Sequence, residues 1–242
     1  MMLGRKIIVI GHYGSGKSEF SVSLAMNMAT PARTIQADSH FIVEKLPELT
    51  KTAIVDLDII NPYFRSREQR DMLVKYGIGL YGSVYETEVT AELPALGATV
   101  KAPLEDKSCR VIIDVGGNDT GALVLNQFSN YFTQDDTTVL AIINTNRPDT
   151  STLDGILEHI NSIEAVTGLT VSYLVNNTHL LRETTADIIR EGHMLCMEAC
   201  RKTKRPLLCD CYPSELIDVA ELTDISENLM PVGLYLRPTW LT

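Results

Sequence analysis

The run Gly11-His12-Tyr13-Gly14-Ser15-Gly16-Lys17-Ser18 fits the spacing G-x-x-x-x-G-K-[ST]. Its flanks fit as well. Arg5-Lys6-Ile7-Ile8-Val9-Ile10 is a short apolar, β-branched run that reads as a buried strand. Glu19-Phe20-Ser21-Val22-Ser23-Leu24-Ala25-Met26 reads as a helix. Glycines at Gly11, Gly14 and Gly16 let backbone N–H groups turn around an anion, and the helix N-terminus adds partial positive charge. Lys17 supplies a mobile full charge for β- and γ-phosphates, and Ser18 a hydroxyl for Mg²⁺.

Along the rest of the chain, apolar strand-like runs alternate with helical stretches, which is the pattern of βαβ units and a parallel sheet. Strands are expected near 5–10, 52–57, 77–81, 110–115, 137–143, 170–175 and 206–211, and helices near 17–29, 66–75, 119–132, 150–166, 184–202 and 214–221. No Pro/Gly/Ser-rich linker, repeat or low-complexity tract divides the 242 residues, so one α/β domain over 1–242 is expected. The stretch between the first helix and the second strand is longer than one connection needs. Residues 34–50 therefore read as an insertion, either a short extra helix or a hairpin.

Three further strand ends carry polar groups. Ala53-Ile54-Val55-Asp56-Leu57-Asp58 ends in two carboxylates before Asn61-Pro62 breaks the chain direction. At the carboxyl edge of a parallel sheet such groups sit beside bound ligands, and next to a phosphate loop they can organise Mg²⁺ and an attacking water. Arg110-Val111-Ile112-Ile113-Asp114 ends in an aspartate followed by Val115-Gly116-Gly117, which suits a Walker-B metal ligand and a glycine that approaches the γ-phosphate. Ser172-Tyr173-Leu174-Val175-Asn176-Asn177-Thr178 places an amide where it can meet a nucleobase edge, although Asn-Asn-Thr is also ordinary turn chemistry.

Phosphate loop, Asp-x-Asp, Asp-x-Gly-Gly and strand-end Asn, in that order, resemble the MinD/ParA group of P-loop ATPases. Residues 5–62 and 110–120 carry the specific part of the likeness. The resemblance implies a single P-loop NTPase domain with a mostly parallel sheet of about seven strands flanked by helices. It also implies ATP and Mg²⁺ as cofactors, slow hydrolysis, and a nucleotide-dependent homodimer or protein partner. By the same resemblance, Gly11, His12, Tyr13, Gly14, Ser15, Gly16, Lys17 and Ser18 form the nucleotide loop. Lys17 and Asp58 carry the hydrolysis, Asp58 by orienting water. Ser18, Asp56 and Asp114 set the metal shell. Gly117 senses the γ-phosphate, Asn176 contacts adenine, and Tyr212-Pro213 forms a base-contacting loop. The family carries a signature lysine where this chain has His12. His12 takes its place, or Arg65 or Arg67 does, or no ATP-sandwich dimer forms.

The net charge of −10 disfavours nonspecific nucleic-acid binding, and no apolar run approaches the ~20 residues that span a bilayer. Met1 to Lys6 enters the first strand with no room for a signal peptide, so a cytoplasmic location is expected. The five cysteines read as reduced thiols. Cys196, Cys200, Cys209 and Cys211 include pairs that share a face, without a standard metal-ligand spacing. Two other functions remain open. A small-molecule kinase or ATP-dependent ligase would find its acceptor pocket in 34–50 or Glu86 to Glu92 and lid charges in Arg182, Arg190, Arg201 and Arg205. A regulator that binds nucleotide without hydrolysing it would need neither.

Overall fold

The central strand has no polar face. In β1 (Lys6–Gly11) every residue is buried, and its side chains alternate between two cores. Ile8 and Ile10 belong to one core, Ile7 and Val9 to the other. A strand buried on both sides must sit inside a parallel sheet covered by helices on each face. The computed structural model of the chain describes residues 3–29, 41, 43–44, 46–58, 67–82, 93–117 and 119–236. It contains eight strands in one all-parallel sheet, ordered β3-β2-β4-β1-β5-β6-β7-β8. These are β1, β2 (Lys51–Asp56), β3 (Ile78–Gly82), β4 (Cys109–Asp114), β5 (Thr137–Ile143), β6 (Tyr173–Asn176), β7 (Leu207–Pro213) and β8 (Leu229–Val232). The α/β class with a helix-flanked parallel sheet expected from the sequence is observed, with one strand more than expected.

Helices α1 (Lys17–Ala29), α2 (Arg67–Lys75), α3 (Leu93–Glu105), α4 (Asp119–Ala122), α5 (Leu153–Thr167) and α6 (Ala186–Thr203) connect the strands. Phe20, Val22, Leu24 and Ala25 of α1 pack with Ile7, Val9, Ile112 and Ile142 on one face. Ile156, Ile160 and Ile163 of α5 and Cys196 and Ala199 of α6 pack with Ile8, Ile113 and Ala141 on the other. The long helices are closed by local chemistry. The Thr152 hydroxyl accepts from Gly155 N at the start of α5, and Gly168 ends that helix at φ +68°. The Thr185 hydroxyl accepts from Ile188 N at the start of α6.

The differences from expectation have physical reasons. β8 went unforeseen because Pro231 interrupts it, and a proline is tolerated there because β8 is an edge strand. α3 was missed because Pro94, Gly97 and Pro103 read as breakers, yet Pro94 falls in the first turn, where a missing N–H costs nothing. The helix expected at 119–132 is one α turn followed by a 3₁₀ helix over Leu123–Tyr131. The helix expected at 214–221 is a 3₁₀ turn over Val219–Leu222. Within 34–50, residues 34–40, 42 and 45 lie outside the described residues, and Phe41 and Val43 are buried against the α1 face. No helix among the described residues is long and apolar enough to cross a membrane.

Truncating Ile8, which is fully buried at the sheet centre, is expected to be costly. Ile8→Ala should lose about 2–5 kcal/mol in urea unfolding, from lost transfer energy and the cavity left behind. A loss below about 1 kcal/mol would show that this face of β1 is less tightly packed than described.

Candidate functional site

β1 stops at Gly11 and α1 begins at Lys17, so the intervening loop crosses the carboxyl edge of the sheet. Its carbonyl oxygens accept hydrogen bonds from the loop itself, from Lys17 and from residues after β5 and β6. His12 O accepts from Ser15 N (3.1 Å) and Lys17 Nζ (3.2 Å). Gly14 O accepts from Arg147 Nε (3.0 Å) and Asn144 Nδ2 (3.4 Å), and Ser15 O from Asn177 Nδ2 (2.7 Å). With its oxygens held outward, the loop presents Gly16, Lys17 and Ser18 to a pocket of about 220 Å³. The N–H groups of these residues, at a helix start, lack intrahelical acceptors. Gly16 sits at φ +81°, and a Cβ there would lie 2.5 Å from Asn177 Nδ2, so no other residue fits. Gly11 packs beneath the loop against Ser15, whose buried hydroxyl has no hydrogen-bond partner among the described residues.

Asp56 and Asp114 end adjacent strands in register, and the Asp58 amide donates to Asp56 Oδ1 at 3.0 Å. Lys17, Asp58 and Asp114 are all buried. Burial pushes the Asp114 carboxyl up to about 7, Asp56 adds to the rise, and Lys17 and the Ser18 hydroxyl oppose it. Burial lowers Lys17, against the pull of Asp114 and Asp58. Asp114 Oδ1 has no hydrogen-bond partner among the described residues. A buried carboxylate with an unused oxygen, beside a serine hydroxyl and a second carboxylate, suits a hard cation that takes few protein ligands and keeps waters and phosphates. Ser18, Asp56 and Asp114 thus fit Mg²⁺. A Cβ on Gly117 would lie 3.0 Å from Lys17 Nζ and 2.9 Å from Tyr13 N, so that glycine closes on the phosphate loop.

The pocket extends from Lys17 and Ser18 towards Thr178, Thr184, Cys211, Tyr212, Pro213 and Val232. Tyr212 and Pro213 thus line the same pocket as Lys17 and Ser18. Leu181, on the rim, holds φ +58°, a left-handed conformation that is costly for a leucine. Asn176 is different. Its side chain is fully buried, with Nδ2 donating to Asp210 Oδ1 (2.7 Å) and Ile189 O (3.1 Å) and Oδ1 accepting from Thr178 N (3.2 Å). The amide at the pocket is that of Asn177. Consecutive residues at a strand end point to opposite sides, so one position decides which asparagine meets the ligand. His12 is turned onto its own chain, with Nδ1 3.3 Å from Asp149 Oδ2 and its ring centroid 5.6 Å from that of His159. Tyr13 is 66% exposed at the rim.

Asn144, Arg147 and Asn177, which brace the loop, were not singled out from the sequence. Nor was Glu19, whose two oxygens accept from Tyr235 N (2.8 Å) and Leu236 N (2.9 Å). Arg65 and Glu86 to Glu92 lie outside the described residues, as does the side chain of Arg67. Arg190 and Arg205 are engaged away from the pocket, with Asp224 and Glu164. Cys196 and Cys200 belong to one core and Cys209 and Cys211 to the other. No group of three or more His, Cys, Asp or Glu among the described residues is arranged as a metal cluster.

Among solved structures, the chain is similar to FlhF complexed with GMPPNP and Mg²⁺ (10% identity, TM-score 0.44). That match covers 85% of this chain and 64% of FlhF. It is also similar to a ParA family ATPase from Chlorobium tepidum TLS (12% identity, TM-score 0.36, 83% and 92% covered). The chain spans about two thirds of the FlhF chain. No family model and no curated protein matches it.

His193 on α6 meets Asp210 through Nδ1, 3.0 Å from each carboxylate oxygen. That bond raises the imidazole above its ordinary value, with Asp224 adding to the rise and partial burial opposing it. A histidine whose folded value is raised adds stability that is present below about pH 6.5 and is lost as pH rises through the folded value. The gap in unfolding free energy between wild type and His193→Gln should therefore be wider at pH 6 than at pH 9. Equal gaps would mean that the ring acts through packing alone.

Proposed function

We propose that the chain is a Mg²⁺-dependent ATPase of the MinD/ParA type, one nucleotide-binding domain that switches a partner in the cytoplasm, the partner being a second copy or another protein. The observation that carries this reading is the convergence around the Lys17 ammonium, which lines the pocket with Ser18 and Asp58, of the Asp58 and Asp114 carboxylates, the Ser18 hydroxyl and the Gly117 backbone. Helix-start N–H groups and Lys17 would hold the β- and γ-phosphates, and catalysis at such sites is mainly positioning and charge neutralisation. Ser18, Asp56 and Asp114 would hold Mg²⁺, which supplies phosphate charge neutralisation when bound. Asp58, beside Lys17, would orient the attacking water and accept its proton. Adenine rests on the motif resemblance, with the Tyr212-Pro213 wall offering a flat apolar contact.

Titration calorimetry with Mg-ATP tests the site. Lys17→Ala should weaken binding about a hundredfold or more. Asp58→Asn should retain binding while turnover falls about a hundredfold or more. Wild-type affinity in Lys17→Ala would overturn the site, and undiminished turnover in Asp58→Asn would remove that residue from the chemistry. Competition by GTP on an equal footing with ATP would overturn the adenine reading.

A further inference from the structure

We propose that Arg147 supplies a second, in-chain cation to the bound nucleotide, on the α- and β-phosphates rather than the γ-phosphate; this rests on the nucleotide-binding reading above.

Among the described residues that line the pocket, Lys17 and Arg147 are the only lysine or arginine. Arg147 reaches the phosphate loop from the turn after β5, where its Nε donates to Gly14 O at 3.0 Å. That bond fixes the plane of the guanidinium while no protein acceptor among the described residues takes Nη1 or Nη2. A half-buried fork anchored at one nitrogen and open at two is the arrangement that binds a phosphate edge.

Strand order decides which phosphate. Asp114 and Gly117 follow β4, on one side of β1, and Asp58 follows β2 beyond it. The apolar end of the pocket, at Cys211, Tyr212 and Val232, lies over β7 and β8 on the other side. A nucleotide with its base at the apolar end therefore directs its γ-phosphate towards β4 and β2. Arg147 follows β5, the neighbour of β1 on the base side, and so faces the part of the phosphate tail that di- and triphosphates share. His12 does not compete for this role, because it is paired with Asp149 two residues beyond Arg147.

The test is calorimetric binding of Mg-ADP and of a non-hydrolysable ATP analogue with Mg²⁺ to wild type, Arg147→Ala and Arg147→Lys. In Arg147→Ala both dissociation constants should rise by the same factor, about ten- to a hundredfold. Arg147→Lys should recover part of the loss at low salt, and added salt should narrow the gap between the two variants. A purely structural brace on Gly14 would respond neither to the lysine's charge nor to salt. Wild-type affinity in Arg147→Ala, a loss confined to the triphosphate, or identical behaviour of the two variants at every ionic strength would overturn the inference. Absence of nucleotide binding in wild type would overturn the ATPase reading itself, which distinguishes the two failures.

Discussion

A loop of peptide can surround an anion only if its carbonyl oxygens are occupied elsewhere. Here the oxygens of His12, Gly14 and Ser15 are taken by Ser15 N, Lys17, Asn144, Arg147 and Asn177, from β5, β6 and the loop itself. The cradle is thus a property of the sheet edge and not of the glycine motif alone. β1 stands between β4 and β5, so the acidic residues of one neighbour and the bracing residues of the other reach the same loop from opposite sides.

The electrostatics follow from that placement. Burying Lys17 with Asp58 and Asp114 costs solvation, and the result is an Asp114 held near neutral pH and a lysine pulled below its usual value. A polyphosphate with a divalent cation brings charge of both signs and relieves both. The Asn176–Asp210–His193 network behind the pocket is closed on itself, and it ties β6, β7 and α6 together without offering a group to the ligand.

Much of this was legible in the sequence. Continuous apolar runs ending in Asp or Gly mark parallel strands and their carboxyl edge, and seven strands, α1 and the loop stood where those patterns put them. The failures share a cause, which is that propensity rules describe isolated segments. Pro231 is harmless only because β8 has one neighbour, and Pro94 only because it falls in the first turn of α3. Whether Asn176 or Asn177 faces the pocket depends on a single register step that composition does not contain. Arg147 and Asn144 drew no notice in the sequence because their partner Gly14 lies more than a hundred positions away.

Glu19 has a consequence of its own. Ser18 and Glu19 are consecutive, one facing Asp114 and the other holding the amides of Tyr235 and Leu236. The segment just after β8, with Leu234 on the pocket wall, is thereby referenced to the first turn of α1. One buried carboxylate thus ties the helix that opens the pocket to the strand end that closes it, so the two walls are joined through a single side chain.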